Sequence, residues 1–103
     1  MSYAVLFTSK LAEADEQYHA LNDALYQALV KQEGYIGHES YRNEKGVGCT
    51  ISYWKDLVSL KKWKEFPMHL QAQLKGKEKW YEYYQVKICK IEKEYEWEKE
   101  KGL

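Results

Sequence analysis

The stretch Thr50-Ile51-Ser52-Tyr53-Trp54-Lys55-Asp56-Leu57-Val58-Ser59-Leu60-Lys61-Lys62-Trp63 decides the fold of this chain. Its first residues are β-branched and aromatic, as a strand requires, and Tyr53-Trp54 closes that strand. Asp56 is placed to cap a helix, and Leu57, Leu60 and Trp63 then recur three apart on one helical face. A strand therefore runs straight into an amphipathic helix. The same junction sets bulky rings where the end of a sheet meets a helix, a position where small pockets form.

Working outward, Val47 to Trp54 is preceded by a turn at Glu44-Lys45-Gly46 and by a β-rich run from Tyr35 to Asn43, which predicts a hairpin. Alternation along that run puts Ile36, His38, Ser40 and Arg42 on one face and Tyr35, Glu39 and Tyr41 on the other. Tyr3 to Ser9 reads as a first strand. Residues 14–32 carry Ala14, Tyr18, Leu21, Leu25, Ala28 and Leu29 at helical spacing, with Gly34 as the stop. Downstream, Pro67 has no N–H for a continuous helix, so the pattern predicts a break at Phe66 and a new helical segment from Pro67 through Leu74. Gly76 is expected to end that piece, followed by an aromatic-rich turn around Trp80. Tyr84 to Tyr95 alternates as a last strand, with Val86 and Ile88 on one side and Cys89 and Ile91 on the other, and the charged run Glu96 to Lys101 is expected to fray.

The order β-α-β-β-α-β is the split βαβ pattern of an α+β, ferredoxin-like domain: an antiparallel sheet of strand order 4-1-3-2 with helices on one face. One domain over residues 1–103 is expected, large enough to remove roughly 65% of the unfolded chain's surface from water. Helices on one face leave the other sheet face bare, and apolar residues on both sides of the outer strands predict that a second copy of the chain covers it.

Composition excludes several function classes. Sixteen Lys and Arg balance sixteen Asp and Glu, so no strong field draws nucleic acid or a membrane surface. The Lys excess after residue 50 falls at spacings of a solvated helix face. No run approaches transmembrane length and no secretory leader is evident, which predicts a cytoplasmic protein. The two cysteines, Cys49 and Cys89, fall on strands separated by another strand, roughly 9–10 Å apart and beyond disulfide reach. His19, His38 and His69 lie on three different elements, so no metal site is predicted. Ten Tyr and four Trp in 103 residues call for a deep core or an interface.

Gly34-Tyr35-Ile36-Gly37-His38-Glu39-Ser40, then Thr50 to Asp56 and the Leu60 to Trp63 helix, resemble the antibiotic biosynthesis monooxygenase family of the dimeric α/β-barrel superfamily. Gly76-Lys77-Glu78-Lys79-Trp80-Tyr81 and Val86 to Glu92 are similar to a small bacterial subgroup of it, mostly described as uncharacterised. The resemblance implies a homodimer, and one of three roles: cofactor-free oxidation of quinol- or anthrone-like aromatics, haem degradation, or a dimer of other function. The haem-degrading branch carries an Asn near the end of the first strand and a ligand His about ten residues past the helix Trp. Those places hold Phe7 and Gln73 here, and His69 stands only six residues past Trp63.

The leading expectation is therefore an oxidoreductase, a cofactor-independent monooxygenase acting on a small aromatic ligand; the alternative is a non-catalytic small-molecule-binding or stress-related dimer. Cofactor-free oxidation needs an apolar pocket, a group that favours the phenolate and polar contacts for the developing oxyanion. Tyr53, Trp54, Trp63, Phe66 and Trp80 are the candidate walls, His69 the candidate catalytic base, and His38 with Arg42 the further polar candidates for substrate binding. Each also has a plainer role: the Trp set as core, His69 as a surface residue, His38 and Arg42 as an interface pair.

Overall fold

The computed structural model describes residues 2–99. Strand β1 (Ser2–Leu11) is followed by α1 (Glu16–Leu29), β2 (Tyr35–Arg42), β3 (Val47–Trp54), α2 (Leu57–Lys64), α3 (Pro67–Lys75), a π-helical turn (Gly76–Trp80) and β4 (Tyr81–Ile91). The sheet is antiparallel in the order β2-β3-β1-β4, the ferredoxin-like order expected from the sequence. Among the described residues no helix is long and apolar enough to cross a membrane.

The helices begin where their caps place them. The Asp15 carboxylate accepts the Tyr18 N–H at 2.8 Å and opens α1, and Asp56 accepts the Ser59 N–H at 2.8 Å and opens α2, each satisfying a donor with no partner inside the helix. Gly34, at φ +83°, turns the chain from α1 into β2, and its carbonyl accepts Lys55 N at 2.8 Å. A side chain there would collide with Ser59, whose Oγ lies 2.1 Å from an ideal Cβ.

The register settles which residues share a face. Val5, Phe7 and Ser9 pair with Ile88, Val86 and Tyr84 on one side and with Ser52, Thr50 and Gly48 on the other, and this row faces the helices. The bare face carries Ala4, Leu6, Val47, Cys49, Ile51, Tyr53, Cys89 and Ile91. Under the helices, Leu29, Trp54, Leu60 and Trp63 form the core, with Tyr3, Val5, Leu25, Tyr26, Tyr35 and Phe66 packed against it.

Several local expectations are corrected. Leu57 is 50% exposed: at the first helical turn it points past the core, and Ser59, Leu60 and Trp63 make the buried stripe. Gly76 caps α3 as expected, though in right-handed backbone (φ −60°) that runs on into the π-helical turn and not in a left-handed stop; its missing side chain serves packing, since a Cβ there would sit 2.6 Å from the Tyr81 ring. β4 starts at Tyr81 and ends at Ile91, three residues earlier and four residues earlier than the alternation suggested. Residues 96–98 have no regular structure, and Glu100 and Lys101 of the expected fraying run lie outside the described residues.

Two bulges decide which rings reach the helix side of the sheet. In β2, Tyr35 pairs with Trp54 and Gly37 with Tyr53, so Ile36 is an extra residue. Tyr35 therefore turns to the helix side, edge-on to Trp54 at 6.1 Å, and not to the side of Glu39 and Tyr41. In β4, Tyr81 pairs with Leu11 and Tyr83 with Lys10, so Glu82 is extra. Tyr81 and Tyr84, three apart in sequence, thus reach the same face, which strict alternation forbids.

Candidate functional site

Between the three helices and the helix side of the sheet the chain leaves a cavity of about 220 Å³. Its floor comes from alternate strand residues: Val5 and Phe7 of β1, Ser40 and Arg42 of β2, Thr50 and Ser52 of β3, Tyr84 and Val86 of β4. Its roof comes from one stripe of α1 (Tyr18, Asn22, Leu25, Tyr26, Leu29), from Trp63 and Lys64 of α2, and from His69, Ala72 and Gln73 of α3. Spacings of four, three, one and three along α1 are those of a single helical face.

At one end, the Trp63 ring is 7% exposed and stacks on Trp54 (centroids 6.3 Å) and on Phe66 (5.4 Å). The His69 ring packs against it at 5.0 Å. The break at Pro67 makes this possible, because it restarts the helix at an angle that returns His69 over Trp63. His69 Nδ1 is buried with no hydrogen-bond partner among the described residues. Burial pushes the imidazole below its ordinary value of 6.5; the Lys64 backbone carbonyl opposes that shift and the Lys64 charge adds to it. The ring is therefore held neutral, the form that accepts a proton.

At the other end sits an aromatic group. Phe7 lies 5.7 Å from Tyr81 and 5.3 Å from Tyr84, and Tyr18 lies edge-on to Tyr81 at 6.3 Å. Burial, reinforced by Tyr18, holds the Tyr81 phenol well above the ordinary tyrosine range, so it remains a donor. Beside it the Arg42 guanidinium donates from Nη1 to the Gly46 carbonyl at 2.5 Å and from Nη2 to Ser9 Oγ at 3.4 Å. Gly48 leaves room for it, since a Cβ there would lie 2.7 Å from the guanidinium carbon. A hydroxyl ladder lines the wall between the two ends: Ser40 Oγ and Thr50 Oγ1 share a hydrogen bond at 2.8 Å, and the Tyr26 hydroxyl and Thr50 Oγ1 another at 3.3 Å.

The structure thus brings Trp63, His69 and Arg42 to one cavity, and places the other sequence candidates elsewhere. Trp54 is fully buried behind Trp63, its Nε1 donating to Ser52 Oγ at 2.9 Å. Phe66 backs Trp63 from the far side. Trp80 is buried beyond Tyr18, edge-on at 5.3 Å. His38 is held by the Tyr35 hydroxyl on Nδ1 at 2.6 Å and is stacked under Tyr26. Tyr53 points to the bare sheet face, where its hydroxyl donates to Glu39, as Tyr41 does at 2.5 Å, and the Glu39 bond pushes the Tyr53 phenol up to about 12. Adjacent strand residues face opposite ways, so Tyr53 and Trp54 never belonged to one pocket. Tyr18, Asn22 and Tyr26 carried a readable signal in the α1 stripe. Tyr81 and Tyr84 did not, because the bulge between them is invisible to alternation. Phe7 and Gln73 both line the cavity.

A ferredoxin-like sheet with a ring-lined cavity under its helices matches a known class. The chain belongs to the antibiotic biosynthesis monooxygenase family, which residues 1–75 match. The uncharacterized protein YqjZ of Bacillus subtilis (strain 168) is 34% identical over 92 residues, covering 89% of this chain and 81% of that protein. Among solved structures, Rv0793 from Mycobacterium tuberculosis superposes with a TM-score of 0.78 at 17% identity, over 91% of this chain and 98% of that one. SnoaB, a cofactor-independent oxygenase from Streptomyces nogalater, does so with a TM-score of 0.75 at 10% identity, over 90% and 95%. At these identities the two structures establish a shared fold.

Proposed function

We propose that this chain is a cofactor-independent monooxygenase that oxidises a small quinol- or anthrone-like aromatic in the cavity beneath its helices. The observation that carries this reading is His69: a neutral, half-buried imidazole with an unpartnered Nδ1, set against the face of Trp63 on the cavity wall. Trp63, Phe7 and Val86 offer apolar surface for a fused ring. His69 takes the phenolic proton, and the electron-rich anion then reduces O₂ itself, so the electrons come from the substrate. Hydroxyls of Tyr26, Ser40 and Thr50 supply donors for the developing oxyanion. The oxygenase chemistry named for SnoaB agrees with this reading. Oxygen uptake over a panel of hydroquinones and anthrones is expected to show enzyme-dependent turnover of at least one compound. Binding across the panel without oxygen uptake would replace the enzyme by a small-molecule-binding dimer.

The working unit of this reading is a homodimer joined through the bare sheet face. Ala4, Leu6, Val47, Ile51, Cys89 and Ile91 lie there without a covering helix, and the Glu39 carboxylate opposite Ile51 is capped by two phenols. Light scattering at micromolar concentration is expected to give twice the 12.3 kDa chain mass, and a stable monomer would overturn this assembly. Cys49 and Cys89, both free thiols, suit a reducing cytoplasmic compartment.

A further inference from the structure

The charges around the cavity are one-sided. Arg42 and Lys64 both line it, with His69, four tyrosines and several hydroxyls, and none of its described lining residues is Asp or Glu, in a chain with sixteen of them. Among the described residues Arg42 has no ion-pair partner; its two acceptors are the neutral Gly46 carbonyl and Ser9 hydroxyl. Those bonds use two of the five N–H donors of a guanidinium and fix its plane, leaving donors for a further acceptor. Gly48 is the built part of the arrangement, since any side chain there would displace the guanidinium. The guanidinium is exposed, so it offers an incoming anion a fixed set of charged donors at the open end of a ring-lined cavity.

The cavity is also long. Arg42 pairs with Gly48, whereas Trp63 stacks on Trp54, six strand residues further on. That is roughly 20 Å along the strand, less the inward reach of the two side chains. A ligand touching both ends is elongated, with an acidic group at one end and its reacting ring at the other.

We infer that the substrate is an acidic fused-ring phenol, its carboxylate held by Arg42 with the Tyr81 hydroxyl while its phenolic ring lies against Trp63 and His69. This rests on the reading of the cavity as the substrate site, and it adds the chemical class of ligand. Tyr81 remains protonated, so it donates to the anion and does not repel it.

The test is calorimetric titration of the full chain with 6-hydroxy-2-naphthoate and with 6-hydroxymethyl-2-naphthol, a neutral probe of nearly the same shape. The naphthoate is expected to bind roughly ten-fold or more tightly than the neutral probe, as one charge-assisted pair supplies, with an advantage that shrinks as salt rises. Arg42→Gln is expected to erase the preference and leave the neutral probe's affinity within about two-fold. Equal affinities in the wild-type chain, which need no variant to fold, would overturn the inference, as would a preference that survives Arg42→Gln. Failure of both probes to bind would overturn it together with the cavity as substrate site. Selective naphthoate binding without oxygen uptake over the quinol and anthrone panel would support it while removing the oxygenase reading.

Discussion

Trp63→Ala is expected to lower the unfolding free energy by about 3–5 kcal/mol, the cost of emptying a large aromatic site in a core. The ring is 7% exposed, stacks on Trp54 and Phe66, and belongs to the cluster that joins α1, α2 and β3. Nothing nearby is free to fill the gap, because Trp54 is already fully buried and pinned by its Ser52 hydrogen bond. Since domains of this size are stable by about 5–15 kcal/mol, the loss takes a large share of the total. Urea unfolding checks it: the midpoint should fall with the slope unchanged. Leu57→Ala is the matched control, one helical face by sequence spacing yet half exposed, and its effect should stay within about 0.5 kcal/mol. A Trp63→Ala loss no greater than that of Leu57→Ala would show that Trp63 is not the keystone of the core.

His69→Ala is expected to cut oxygen-dependent turnover by roughly 10²-fold, the contribution of one positioned general base, while the dimer persists. Turnover unchanged in this variant would take the base role away from His69. The same residue sets a pH dependence of stability. Burial lowers the proton affinity of the folded imidazole below its ordinary value of 6.5, so the unfolded chain binds the proton more tightly and protonation favours unfolding. Stability is therefore complete above about pH 6.5 and falls as the pH drops below it, until the folded imidazole takes up its own proton. Unfolding of His69→Gln across the same range should lack that decline, and a decline of equal size in the variant would assign it to other groups.

Much of the fold was legible because its signals are local. Asp56 caps where a cap belongs, Pro67 opens α3, and the alternation of Val47 to Trp54 matches the strand residue for residue. The site was less legible because it depends on which way each strand residue faces. Tyr53 and Trp54 look like a pair of pocket walls in sequence, yet the pleat sends one to the bare face and the other into the core. Trp80 draws the eye as a large ring, but the π-helical turn buries it beyond Tyr18 and presents Tyr81 to the cavity. Gly76 reads as a helix end and is one, but composition does not show its second use, which is to let the Tyr81 ring lie against the backbone. None of these outcomes is a property of a single residue type; each comes from how two elements meet.

The two bulges are places where these strands hold spare length. Ile36, the extra residue of β2, is 58% exposed and opposes no residue of β3, so its identity is nearly free. Without it, Tyr35 on Trp54 and Gly37 on Tyr53 would become neighbours in an unbroken ladder, and every later residue of β2, Arg42 included, would keep its face. Glu82 stands in the same relation to Tyr81 and Tyr83 on the opposite strand. Residues 36 and 82 are therefore where this scaffold can lose a residue without changing which side chains its cavity presents, whereas the paired positions between them and the hairpin have no such slack.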